Sequence, residues 1–223
     1  MSDVRAAAAR TRIGDRARAQ QETERAVRRG AWPVAEAPVG RTTGWWGMFF
    51  FIGTEGAMFA AFIASYYYLR FSTATAWPPP SDKLPHVLVP SIGTGLLVLS
   101  CLPMWLAVRA ARRRSRLAAP AAALAMLGGV AFVVLQAVDY MQEYPSSTPS
   151  KDAYGSLLFS LTGLHAVHVA VGVFMLLLVL GSSLVRGVGK AQYGAARICA
   201  MYWYFLAVLA VAIYITVYLS PYL

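Results

Sequence analysis

Five separate stretches of this chain, 44–69, 86–108, 118–139, 155–182 and 197–219, are apolar over enough residues to cross a bilayer. A hydrocarbon core about 30 Å thick takes roughly 20 residues of α-helix. Lipid offers no partner to backbone N–H and C=O groups, so each stretch must close its hydrogen bonds within itself, as an α-helix does. The sequence therefore predicts an all-α integral membrane protein, a bundle of five transmembrane helices occupying residues 44–219. Composition agrees: 58% of the residues are hydrophobic and 13% are charged, where soluble domains carry about 25% charged residues. No soluble domain remains to be placed.

A net charge of +10 would suit a nucleic-acid binder, but the basic residues lie in the N-terminal segment and in the joins between spans. Nine arginines precede the first span. Arg109, Arg112, Arg113, Arg114 and Arg116 join the second to the third, and Arg186, Lys190 and Arg197 join the fourth to the fifth. The opposite side has only Arg70, Lys83 and Lys151, a ratio of 17 to 3. Basic loops stay in the cytoplasm. The N-terminus is expected there and the C-terminus outside, as an odd number of spans requires, and no nucleic-acid partner is expected.

Residues 1–41 hold no apolar core of signal-peptide length, so no secretory signal is expected. They read as a basic, flexible cytoplasmic tail with room for one surface helix, and Pro33 and Pro38 mark a linker. The run Trp77-Pro78-Pro79-Pro80-Ser81-Asp82 reads as a turn before the second span. Trp45-Trp46 and Tyr66-Tyr67-Tyr68 fit an interfacial aromatic belt. The arginines 109–116 read first as an orientation signal and second as a contact for anionic lipid. Gly128-Gly129 suits close helix packing. Cys101 and Cys199 sit inside apolar stretches as small hydrophobes.

Few polar groups enter the membrane. Glu55 lies near the middle of the first span. An ionisable side chain at the bilayer centre costs on the order of 3 kcal/mol on insertion scales, so Glu55 is expected to face protein. His165 and His168, three apart, fall on neighbouring positions of one face of the fourth span. Each of Glu55 and His165 sits about 10 residues, or ~15 Å, from the end of its span, and the two spans run in opposite directions. Both therefore fall near the midplane. Glu55 is expected to share hydrogen bonds with His165 or His168, directly or through water. The competing reading is that each bonds locally to backbone or to Ser/Thr groups. Gln136, Asp139 and Tyr140 end the third span, where they cap it or meet a neighbouring helix. Gly163, Ala166, Ala170 and Gly172 give the fourth span a surface for close packing. With two adjacent histidines and His86 far off, no metal or cofactor site and no catalytic centre is expected within the chain.

Three groups of residues resemble subunit III of the haem–copper oxidases, in its short five-span bacterial form. The first is Gly53-Thr54-Glu55, Ala57-Met58-Phe59-Ala60, Tyr66-Tyr67-Tyr68-Leu69-Arg70 and Trp77-Pro78-Pro79. The second is Leu135-Gln136 with Asp139-Tyr140. The third is Ala153-Tyr154-Gly155-Ser156, Thr162-Gly163-Leu164-His165 and His168-Val169 with Gly172. The resemblance implies an intramembrane polar network of Glu55, His165, His168 and Gln136. It also marks Arg70, Asp139, Tyr154, Gly163 and Gly172 as interface or family-motif residues.

By the same resemblance the chain packs mainly on catalytic subunit I, with subunit II and smaller subunits nearby. It binds structural phospholipids and supports proton uptake, while haem and copper reside in the partner subunits. The setting implied is the bacterial cytoplasmic (inner) membrane. Tyr204, Ala207 and Ala210 stand where the family pattern has His, Asp and Trp. Two other readings remain: a subunit III homologue accompanying nitric oxide reductase, and a small proton-coupled transporter. The latter finds no internal repeat to support it, and Pro103 is the only proline well inside a span.

Overall fold

The computed structural model describes residues 42–72, 77, 86–143, 153–186 and 190–222. The tail at 1–41, Lys83, Lys151 and all of the proline-rich turn after Trp77 lie outside the described residues. Residues Gly44–Leu223 form one compact unit. It is built from helix α1 (Thr43–Ser72), the pair α2 (Leu88–Leu99) and α3 (Cys101–Arg112), then α4 (Ala118–Glu143), α5 (Ala153–Arg186) and α6 (Lys190–Ile213). A π-helical turn at Tyr214–Leu219 and a 3-10 turn at Ser220–Tyr222 continue α6. Five spans result: Thr43–Ser72, Leu88–Arg112, Ala118–Gln142, Ala153–Ser183 and Tyr193–Tyr222. They match the five apolar stretches and extend beyond most of their ends. Ser, Tyr and charged residues at the bilayer edge stop the apolar signal without breaking helical bonding. At 1.5 Å per residue the 30 residues of α1 reach ~45 Å, beyond the hydrocarbon on both sides.

The second span is divided at Ser100 by Pro103, which has no N–H for the carbonyl of Leu99. The ladder is otherwise kept, with Ser100 N bonding Leu96 O at 2.9 Å and Met104 N bonding Ser100 O at 3.2 Å. Helix α3 then ends at Arg114, whose φ of 51° is left-handed. There the Ser115 N–H returns to Ala110 O at 2.9 Å, a helix stop that normally uses glycine.

Lipid is as apolar as a leucine side chain, so helices in it associate through close packing at small residues. That logic puts the last span at the centre. Half of its apolar window is buried, against 6% for α1. Helix α6 contributes buried Ala196, Cys199, Ala200, Ala207 and Ala210, and α4 contributes Ala118, Ala122 and Ala125. Helix α4 packs on α2, α3 and α5, while α6 packs on α5, α3 and α2.

Trp203 of α6 sits wholly buried at the heart of this packing. Its indole Nε1–H donates to Ser100 Oγ at 2.9 Å, and that hydroxyl donates onward to Leu97 O at 2.5 Å. The Gly128-Gly129 pair makes room for both. A β-carbon at 128 would fall 2.5 Å from Ser100 Cβ, and one at 129 would fall 2.4 Å from the Trp203 ring. Gly172 faces the same indole and Leu206 from α5.

Helix α1 joins the bundle by longer side chains. Phe59 and Tyr66 are buried among Tyr154, Leu158, Leu161, Leu209, Ile213 and Val217. The Tyr66 hydroxyl meets Ser220 Oγ at 3.2 Å, linking α1 to the end of the last span.

Candidate functional site

Glu55 and His168 lie near the middles of their helices, at position 13 of 30 in α1 and position 16 of 34 in α5. His168 Nε2 and Glu55 Oε2 are 2.9 Å apart. The other ring nitrogen, Nδ1, is 2.7 Å from Leu164 O. A carbonyl only accepts, so Nδ1 must carry a proton. Two states remain for the pair: neutral imidazole accepting from a protonated Glu55, or imidazolium donating to its carboxylate. Either way the two side chains share one proton and carry no net charge, which is how an acid is best kept at bilayer depth.

Three further contacts fix the pair. Phe59, one turn along α1 from Glu55, meets the His168 ring edge-to-face at 5.3 Å. The Tyr202 hydroxyl of α6 donates to the His168 backbone carbonyl at 3.2 Å. Phe51 of α1 packs on the Tyr202 ring at 5.9 Å. The side chains of His168 and Glu55 remain 14% and 20% exposed, so the pair is open on one side.

His165 does not join it. The ring is 2% exposed, stands edge-to-face to Phe132 at 5.3 Å, and has no hydrogen-bond partner on either nitrogen. Three residues along a helix turn the side chain by about 60° from its neighbour. That rotation is enough for His168 to reach Glu55 while the His165 ring lies between Phe132 of α4 and Phe59 of α1, the latter at 6.4 Å.

Gln136 also belongs elsewhere. Its Nε2 donates to Asp139 Oδ2 at 3.1 Å, and the Tyr218 hydroxyl donates to the same oxygen at 2.5 Å. Asp139 is buried, and this cluster ties α4 to the π-helical turn. The adjacent Tyr140 hydroxyl meets Thr162 Oγ1 of α5 at 2.8 Å. Gly163 lies under that tyrosine, where a β-carbon would stand 3.0 Å from its oxygen. Tyr154 is buried against Trp77 and Tyr66, and Arg70 ends α1 in the last turn.

Tyr202, Tyr218 and the Ser100–Trp203 bond were not singled out by sequence reasoning. A signal existed, since a tyrosine or tryptophan deep in an apolar span needs a partner for its polar tip.

Among the described residues no three His, Cys, Asp or Glu side chains gather as a metal site. Both His168 nitrogens are already engaged. The donors present would therefore not hold a haem or copper at this pair.

The chain matches the family model described as cytochrome c oxidase subunit III over residues 35–222. It is 28% identical over 179 residues to cytochrome c oxidase subunit 3 of Drosophila melanogaster, covering 78% of this chain and 68% of the relative. It is 27% identical over 198 residues to the Osphranter robustus protein of that name, covering 86% and 75%. For Lumbricus terrestris the identity is 29% over 179 residues, covering 78% and 68%. The chain belongs to the cytochrome c oxidase subunit III family.

Proposed function

We propose that this chain is a non-catalytic integral subunit of a respiratory haem–copper oxidase, seated in a bacterial cytoplasmic membrane with its N-terminus inside. Its main partner is the catalytic subunit I, with subunit II and smaller subunits in the same assembly. One observation carries the docking: the partly exposed Glu55–His168 pair stands near the middles of two membrane-length helices. Lipid is a poor neighbour for such a pair, and a protein surface is a good one.

The outward side of α1 supports the same reading. Gly53, Ala57, Ala61 and Ser65 are all exposed at four-residue spacing, and nothing lies within 4 Å of a β-carbon at Gly53. A line of small residues lets a second helix approach closely. Bound phospholipid and support of proton uptake belong to the same proposal, with Glu55 and His168 as the proton-bearing groups. Haem and copper sit in the partner.

The test is gentle purification through a tag on this chain. Co-elution of a haem-bearing polytopic protein, identified by optical spectrum and mass spectrometry, is the expected result. Elution as a lone, stable monomer overturns it. Ala207 and Ala210, which replace polar or aromatic residues of the family pattern, keep a nitric oxide reductase partner as the second reading. Assaying the co-purified complex for oxygen and nitric oxide turnover separates the two.

A further inference from the structure

His165 is the one buried histidine with both ring nitrogens lacking a partner among the described residues. Neutral imidazole has one donor and one acceptor, and buried polar atoms of native proteins are nearly always satisfied. His165 borders a small cavity of about 20 Å³ whose wall includes Thr94, Gln136, Thr162, Ala210 and Tyr218. A water needs roughly 10–15 Å³ of such space and two to four polar partners. The cavity thus has room for one water, and its polar residues share the wall with Pro90, Phe132, Ala210 and Ile213.

The neighbouring bonds leave capacity for it. Gln136 directs one amide N–H to Asp139, and its amide has a second N–H and a carbonyl oxygen. Thr162 donates to Leu158 O at 2.6 Å and lies 2.8 Å from the Tyr140 hydroxyl. The cavity also lies against the π-helical turn that carries Tyr214 and Tyr218, a kind of irregularity often found at functional sites.

We infer that this cavity is a water site, in which one ordered water bonds a ring nitrogen of His165 and the Gln136 amide and so connects the buried histidine to the Asp139–Tyr218 cluster. The chain then holds two polar assemblies in the membrane. One is the Glu55–His168 pair at the α1 seam, and the other is a hydrated cluster between α2, α4, α5 and α6. The water does not depend on which partner the chain has.

The test uses the full chain in its native complex, reconstituted in lipid nanodiscs with ¹⁵N-labelled histidine. Water-edited solid-state NMR should show rapid transfer from water protons to a His165 ring nitrogen, assigned by its loss in His165→Gln. Ala210→Leu fills the cavity and should abolish that transfer while leaving the His168 signal in place. Should that variant fail to assemble, a density map of the unaltered complex replaces it, and a peak about 2.6–3.2 Å from a His165 nitrogen is expected. Absence of transfer in the unaltered chain, transfer undiminished in Ala210→Leu, or an empty cavity in the map overturns the site.

Discussion

At the scale of single residues, the shared proton between Glu55 and His168 makes a sharp forecast. Glu55→Gln keeps a donor for His168 Nε2, because the Leu164 carbonyl already fixes the proton on Nδ1. The loss of stability should stay under about 1 kcal/mol. Glu55→Leu strands that nitrogen and should cost about 1–3 kcal/mol. Thermal denaturation of both variants in one detergent measures the difference, and equal stability of the two would remove the pair from the account.

This pairing was half legible in the sequence. Counting residues from the span ends put Glu55 and His165 near one level, with His168 somewhat lower, and the hydrogen bond of Glu55 runs to His168. Which histidine faces α1 was not readable. Periodicity marks an inward face only when the other face is polar, and these spans are apolar all round. Rotation of each helix is then set by where glycines and alanines let backbones approach. Gln136 illustrates the same limit: its sequence position placed it near other polar groups, but packing gave it to Asp139 and Tyr218.

Among the helices, glycine has two different jobs that the letters alone do not distinguish. Gly129 gives way to the Trp203 ring, whereas Gly53 faces open space. Gly129→Ala should destabilise by about 1–3 kcal/mol through overpacking. Gly53→Ala should be neutral or gain up to about 1 kcal/mol in the isolated chain, from helix propensity. Denaturation midpoints for the two substitutions should move in opposite directions or differ by that margin. At the end of α3 the left-handed backbone of Arg114 strains a side chain that glycine would not carry. Arg114→Gly should therefore raise stability by about 1 kcal/mol, read as a higher melting temperature in detergent. Span number was plain from hydropathy, although most helix ends lie beyond the apolar stretches. The division at Ser100 was not, although Pro103 was visible as a proline well inside a span.

For the whole molecule, the bundle is lopsided. The last span is half buried while the first has only Phe59 and Tyr66 fully buried, so the surface most in need of a neighbour is that of α1. Gly53→Leu places a bulky group where, among the described residues, nothing lies within 4 Å of its β-carbon. The variant should fold with unchanged melting behaviour yet recover at least several-fold less partner protein in a tagged purification. Undiminished recovery would move the docking surface elsewhere. Hydropathy revealed the five-helix architecture, but the order of burial among the helices depends on side-chain volumes meeting across the bundle, which no single span encodes.

Glu55, Phe59, Phe62 and Tyr66 are the anchors of α1, spaced four, three and four residues apart along one edge. A helix fastened along a single line can peel away while the other spans keep their shape. Its amides should exchange with deuterium well before those of α6 in the lone chain, and should slow once the complex forms. Such a loosely tethered first span would let the newly made protein wait half-closed in the bilayer until its companion arrives to shut it.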